Sequence, residues 1–261
     1  MAHESVGRTY IVALIIFSVC SMLVSGAAVG LHDKQQANKE LDRKKNILIA
    51  AGIYDANLPL EETFLMVDTK IIDLATGEYV PQDVLEPSTY DQRLAAQDAD
   101  LSIRIPPRED LAGIGRREKY SFVYFIKKDG KVDQVVLPVN GKGLWSTLYG
   151  FLSLDADLNT VRGLTFYEQA ETAGLGGEIV NPSWQKLWVG KKIYGEKGAV
   201  DIRVIKGTVN PNKPVAIHQV DGLAGATLTG NGVTHLMHYW FGVHAFKPFL
   251  SRLHGKGATD G

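Results

Sequence analysis

The chain is short of cysteine, carries no excess of either charge, and lacks the signatures of the common enzyme classes. Its 261 residues include one cysteine, Cys20, which excludes an internal disulfide and any cysteine-rich zinc or iron–sulfur site. With 28 Lys and Arg against 29 Asp and Glu the formal net charge is −1, so no basic surplus points to nucleic acid. The Gly-x-x-x-x-Gly-Lys-Ser/Thr and Gly-x-Gly-x-x-Gly spacings of nucleotide loops are missing. No nucleophile, base and acid stand in a recognisable catalytic arrangement, so no catalytic residue is assigned. His235 and His238 are three apart, but two histidines do not complete a metal's ligand set, and both are read as structural or surface residues. No internal repeat is evident.

One long stretch lacks charge altogether. Tyr10 to Leu31 reads YIVALIIFSVCSMLVSGAAVGL; as a helix it covers roughly 33 Å, enough to cross a bilayer. The small residues Ser25 to Ala28 also suit a cleaved signal peptide, but the length of the run favours a retained anchor, with Cys20 as membrane packing. A polar, helical stretch follows from Gln35 to Asn46, and then a short apolar helix over Ile47 to Ile53.

Beyond the anchor the pattern is that of a soluble α+β domain with an antiparallel sheet and flanking helices. Phe64 to Leu74 reads as a strand ending at the turn Thr76-Gly77. Pro81 to Glu118 is polar and reads as an irregular surface insertion. Tyr120 to Ile126 and Val132 to Val139 flank Asp129-Gly130, which is hairpin chemistry. Tyr149 to Leu154 and Val161 to Glu168 predict a second pair. Pro182 to Leu187 predicts a short helix, Leu187 to Tyr194 and Val200 to Lys206 two further strands, and Val233 to about Leu253 a helix by its apolar spacing.

Three small-residue segments are the candidates for binding. Asn140 to Thr147 joins a cation (Lys142), glycines (Gly141, Gly143), Leu144, an aromatic ring (Trp145) and two hydroxyls. Trp145 is suited to wall off a flat ligand and Lys142 to face a phosphate. Glu171 to Glu178 reads ETAGLGGE; its glycines Gly174, Gly176 and Gly177 let backbone amides approach a ligand, and Thr172 offers a hydroxyl. Asp221-Gly222-Leu223-Ala224-Gly225-Ala226-Thr227-Leu228-Thr229 sits just ahead of the C-terminal helix, where free N–H groups suit a phosphate. Taken singly, each is equally well a plain turn, the last one with Thr229 or Asn231 as N-cap.

Together, and with Asn181-Pro182-Ser183-Trp184, these segments resemble the C subunit of the sodium-translocating NADH:quinone reductases, from the anchor to the C-terminal helix. Two positions depart from the family's pattern: Ala173 stands where Pro is usual, and Ala224 where Ser or Thr is common. The resemblance implies an electron-relay subunit of a membrane complex that oxidises NADH, reduces ubiquinone and pumps sodium ions. It implies FMN joined by a phosphoester to Thr227, put there by a flavin transferase that recognises Asp221, Gly222, Gly225 and Ala226. It implies an isoalloxazine and ribityl chain held by Trp145, Lys142, Gly143, Leu144, Glu171, Thr172, Gly174, Leu175 and Gly176. Residues 1–9 would be cytoplasmic, 10–31 the anchor, 32–118 the first part of the soluble domain with its insertion, 119–255 the FMN-binding domain and 256–261 a tail.

The implied location is the bacterial inner membrane, single-pass, with the domain periplasmic and the other subunits of the complex as partners. The charges point the other way. Lys34, Lys39, Arg43, Lys44 and Lys45 follow the anchor and only Arg8 precedes it, which by the positive-inside rule places the domain in the cytoplasm; long domains, however, translocate largely regardless of flanking charge. Two rival readings stay open: the G subunit of the ferredoxin:NAD electron-transport complex, and a membrane-anchored binding module without redox chemistry.

Overall fold

The computed structural model describes residues 6–255, so residues 1–5 and the expected tail 256–261 lie outside it. The chain divides into two compact units, the first ending at Arg43 and the second beginning at Lys44. One helix, α1 (Val6–Ala50), runs through both. The expected anchor, polar stretch and apolar helix are therefore one continuous element, because no proline or glycine pair interrupts Leu31 to Ala50. Its apolar part has a mean hydropathy of 2.4 over 18 residues and none of it is buried. By length and composition it can cross a membrane.

The second unit is built on a five-stranded antiparallel sheet, in the order β1-β4-β5-β6-β7. The strands are β1 (Val67–Asp73), β4 (Tyr120–Lys128), β5 (Lys131–Lys142), β6 (Thr147–Asp155) and β7 (Val161–Glu168). β4 to β7 form a meander. The Asp129-Gly130 turn has both residues in the left-handed region, φ 53° and 76°, as a tight hairpin requires. Both faces of the sheet are covered, which explains the almost unbroken apolar run of β4. One face packs Val123, Phe125, Leu137, Leu152 and Phe166 against Val233, Leu236, Trp240 and Phe249 of the C-terminal helices. The other packs Phe122, Tyr124, Val136 and Phe151 against Ile47, Leu48 and Ala50 at the end of α1. Gly163 of β7 permits that contact, since a Cβ there would stand 2.3 Å from the Ala50 carbonyl oxygen.

Several expectations are corrected. The strand read from Phe64 is preceded by a helical turn, α2 (Leu60–Phe64), and starts at Val67. The stretch from Pro81 to Glu118 is ordered, with α3 (Gln92–Gln97) and a two-stranded sheet of β2 (Ser102–Arg104) and β3 (Arg116–Glu118). Polar side chains hold it: Tyr90 donates to the Tyr120 carbonyl at 2.7 Å, and Gln92 donates to Glu118 at 2.6 Å while accepting from Phe122 N at 3.1 Å. Arg93 forks onto Glu168 at 2.8 and 2.9 Å and lies 3.7 Å over the Tyr149 ring. Because these anchors are polar, an apolar-period search passes over them.

Leu187 to Tyr194 is not a strand. After α4 (Pro182–Gln185), a 3-10 turn at Lys186–Trp188 drives Trp188 into the core, edge-on to Trp184 at 5.8 Å. Gly190 then turns at φ 80°. Within Val200 to Lys206 the strand is only β8 (Arg203–Val204), paired in parallel with β9 (Gln219–Val220), while Val200 makes an isolated antiparallel bridge with Tyr194. The C-terminal helix is two helices. The first, α5 (Thr227–Trp240), begins earlier than the apolar spacing indicates, and the second, α6 (Lys247–Gly255), starts with Pro248 in its first turn, where a missing N–H costs least.

If the end of α1 rests on β7 as described, Gly163→Ala must push the Ala50 backbone away from the sheet. The expected result is a loss of about 1–3 kcal/mol, read as a lower urea midpoint with an unchanged slope.

Candidate functional site

Antiparallel pairing gathers the candidate segments at one end of the sheet. β5 ends at Lys142 opposite Thr147 of β6, and Tyr149 lies opposite Glu168 of β7. The turn at 143–146 and the loop after Glu168 are thereby neighbours. α5 crosses the same end of β5. Its glycines make the approach possible: a Cβ on Gly232 would lie 2.4 Å from the Lys142 carbonyl oxygen, and one on Gly141 would lie 2.5 Å from Leu236 Cβ. Glycine inside a helix costs about 1 kcal/mol relative to Ala, and here the return is close packing.

At the centre is the Glu171 carboxylate, which is buried. Its Oε1 accepts from Trp145 N and Ser146 N at 3.0 Å each and from Ser146 Oγ at 2.9 Å. Its Oε2 accepts from Leu144 N at 3.1 Å and Thr229 Oγ1 at 2.7 Å. One side chain thus joins all three segments. Burial by itself pushes this carboxyl up, but the bonds from Thr229 and from the amides of Trp145, Ser146 and Leu144 outweigh it and hold the group down to about 2. Gly143 and Gly176 leave the room it needs. A Cβ on Gly143 would stand 2.6 Å from Glu171 Oε1, and one on Gly176 would stand 2.5 Å from Thr229 Oγ1.

The motif at 221–229 is a tight turn into α5. Gly225 has φ 71°, and a Cβ on it would lie 2.9 Å from Leu175 Cδ2. Glycine is therefore required both by the backbone and by the neighbouring loop. Ala226 occupies the cap position of α5 and offers it no side-chain hydrogen bond. Thr229 and Asn231, expected as caps, lie inside the helix. Thr227 is its first residue and is exposed, whereas Thr229 is only 1% exposed. The Asp221 carboxylate accepts from Val209 N at 2.8 Å, and its carbonyl accepts from Trp184 Nε1 at 3.0 Å. This second bond gives the Asn181-Pro182-Ser183-Trp184 segment its place: Asn181 caps α4 through Ser183 N at 2.9 Å and aims Trp184 at the motif.

The three segments carry exposed apolar side chains, Leu144, Trp145 (68% exposed), Leu175 and Leu228. Thr172 and Gly174 are exposed in the same loop, and Thr172 serves it through its carbonyl, which accepts from Leu175 N and Gly177 N. Lys142 is exposed and its stem lies along Gly113. Thr234, not singled out from the sequence, and His238, set aside there as a metal ligand, also shape the site. Thr234 Oγ1 accepts from Val204 N at 3.0 Å, and His238 Nε2 bonds the Ile202 carbonyl at 2.8 Å. Together they lay the 202–204 segment along α5. The available signal was the spacing Thr227, Leu228, Thr229, which puts the two hydroxyls about 200° apart around a helix.

The profile of the FMN-binding domain family matches residues 143–242, which contain all three segments from Gly143 onward. The C subunit of the Na(+)-translocating NADH-quinone reductase of Pseudomonas aeruginosa is 48% identical over 255 residues, 96% of this chain and 97% of that protein.

The chain belongs to this family of C subunits.

The corresponding protein of Yersinia pestis is 41% identical over 264 residues, 99% of this chain and 97% of that protein. Among solved structures, that of NqrC from Shewanella oneidensis is 35% identical and superposes with a TM-score of 0.75, over 84% of this chain and 99% of that one. The family's members are subunits of an oxidoreductase complex, and the α+β architecture with its antiparallel sheet is theirs.

The Glu171 clasp has a pH signature. Its folded pKa, about 2, lies below the ordinary 4.5, so its contribution is complete above about pH 5 and is lost as pH falls toward 2. Glu171→Gln removes it at every pH, because an amide NH2 faces N–H donors. At pH 6 the expected outcome is loss of hydrogen-exchange protection at Leu144, Trp145 and Ser146 in Glu171→Gln, with Leu137 and Leu152 in the sheet still protected. Retained protection at the three turn amides would rule the clasp out.

Proposed function

We infer that the chain is the electron-relay subunit of a sodium-pumping NADH:ubiquinone reductase and carries FMN through a phosphoester on Thr227. The observation that carries this reading is the contrast between two hydroxyls. Thr229 is buried and bonded to Glu171; Thr227 is exposed at the start of α5, and its side chain makes no hydrogen bond among the described residues. Only Thr227 is presented to another protein's active site. The turn before it exposes Ala224 and Gly225, whose lack of bulk lets a transferase approach the backbone. The family match over residues 143–242 supports FMN as the group.

The residues present fit that group. Leu144, Trp145, Leu175 and Leu228 offer an apolar rim for a flat ring, and the Glu171 clasp holds the turn bearing Leu144 and Trp145 in one conformation. Bound FMN supplies reversible electron transfer. The protein holds the ring in place, limits its exposure to water and sets the local charge. A tether keeps the cofactor's effective concentration high whatever the supply of free FMN. A relay needs no general base and no substrate pocket, in keeping with the lack of catalytic assignments. Tyr10 to Leu31 contains no acid, so ion passage falls to the partner subunits.

The domain is assigned to the periplasmic side of the inner membrane, because a domain of this size translocates largely regardless of flanking Lys and Arg and because the family resemblance outweighs the charge count. Attachment is checked by intact mass and in-gel fluorescence of protein co-produced with a flavin transferase. Thr227→Ala is expected to lose the FMN mass and Thr229→Val to keep it; FMN retained in Thr227→Ala would overturn the assignment. Orientation is checked in a Cys20→Ser, Gln97→Cys protein, Gln97 being exposed at the end of α3. A membrane-impermeant thiol reagent should label it in cells whose outer membrane alone is permeable. Labelling only after the inner membrane is broken would place the domain in the cytoplasm.

A further inference from the structure

Beside Thr227 lies a small cleft to which the covalent FMN reading gives no role. Its volume is about 80 Å³, and it is lined by Val204 to Gly207, Gly222, Leu223, Thr227, Gly230 and Asn231. Pockets for drug-sized ligands run to about 300–1,000 Å³, so a three-ring flavin does not enter it, whereas a phosphoryl group does. Three polar side chains line it: Lys206, Thr227 and Asn231. All three are exposed, and none makes a side-chain hydrogen bond or ion pair among the described residues.

The cleft is built from both sides. Ile205 N donates to the Val220 carbonyl at 2.9 Å, Gly222 N to the Gly207 carbonyl at 2.8 Å, and Val209 N to the Asp221 carboxylate at 2.8 Å. From the α5 side, Thr234 holds Val204 N and His238 holds the Ile202 carbonyl. Gly222 is required by this packing, since a Cβ there would stand 2.2 Å from the Ile205 carbonyl oxygen, and a Cβ on Gly230 would stand 3.2 Å from Val204 Cγ1. The Asp-Gly of the motif and the glycine of α5 therefore serve one end: they bring the Lys206 segment against Thr227. Lys142, the cation singled out from the sequence, does not line the cleft.

We propose that this cleft seats the phosphodiester of the Thr227 tether, with Lys206 balancing its negative charge and Asn231 donating a hydrogen bond to it. The proposal rests on the covalent FMN reading. It makes Lys206 and Asn231 positioning residues: they fix the first atoms of the tether, and the ring then lies outside the cleft, toward Leu144, Trp145 and Leu175. A point charge paired with a phosphodiester at a partly exposed site is worth a modest amount, which suits holding a tether rather than binding a free ligand.

The test uses the full chain, co-produced with a flavin transferase and held in phosphate-free detergent. Intact mass first establishes FMN on the wild type, and its absence there would overturn the tether reading itself. The 31P resonance of the phosphodiester is then compared with that of the same protein unfolded in urea. In the folded wild type, Lys206→Arg and Lys197→Gln it should be displaced from the unfolded position by the same amount. In Lys206→Gln and Asn231→Ala it should move toward the unfolded position at unchanged FMN mass. A wild-type resonance already at the unfolded position, a Lys206→Gln resonance that coincides with wild type, or a displacement abolished by Lys142→Gln instead would each overturn the proposal while leaving FMN on Thr227.

Discussion

A buried carboxylate with five hydrogen-bond donors holds the site together. Glu171 accepts from three consecutive amides and a hydroxyl of the 144–146 turn and from Thr229 of α5. These donors offset the cost of burying its charge, and an anion so satisfied has no reason to protonate near neutral pH. Each loop alone is a short, glycine-rich, exposed connection with little to fix its shape. Cross-linked through Glu171, they share one arrangement, and Leu144 and Trp145 are presented on a turn that cannot drift independently of the helix bearing Thr227.

The sheet makes this clasp possible. The hairpin of β5 and β6 and the pairing of β6 with β7 bring residues 146 and 171 together despite their distance in sequence. α5 then has to lie close across the end of β5. Close packing there is secured by glycines on both elements, Gly141 on the strand and Gly232 on the helix. The insertion adds a second clamp at the same edge, where Arg93 grips Glu168 beside Tyr149. The end of the domain that carries the candidate site is thus braced by polar contacts and the remainder by apolar layers.

What was legible in the sequence followed from periodic signals. The hairpin at Asp129-Gly130, the strands of the meander and the apolar run of the anchor were readable because pleat, turn and helix each impose a repeat. Residues 187–194 misled for a physical reason: β-branched and aromatic side chains suggest a strand, but Trp188 reaches the core from a 3-10 turn, and Lys192 and Tyr194 pair only in isolated bridges. The start of α5 was hidden because the apolar period begins only at Val233, and Gly232 ahead of it is there to admit the Lys142 backbone. The motifs marked loops that the fold brings together through Glu171. The contacts between them, Glu171 with Thr229 and Lys206 beside Thr227, depend on tertiary approach that no local spacing encodes.

If FMN is attached as proposed, the placement of Thr227 and Thr229 has a consequence for the order of folding and attachment. In an unfolded chain the two hydroxyls differ little, being two residues apart in a run of small side chains. Folding separates them by rotating one into the clasp and the other outward. On the proposed attachment of FMN to Thr227, selection of the acceptor is a matter of helix phase, and a transferase meeting the folded domain would need no means of telling one threonine from the other. Completion of the fold would act as a checkpoint that the polypeptide passes before it is loaded, so that a misfolded copy, with its helix rotated or unformed, forfeits its claim on the cell's flavin.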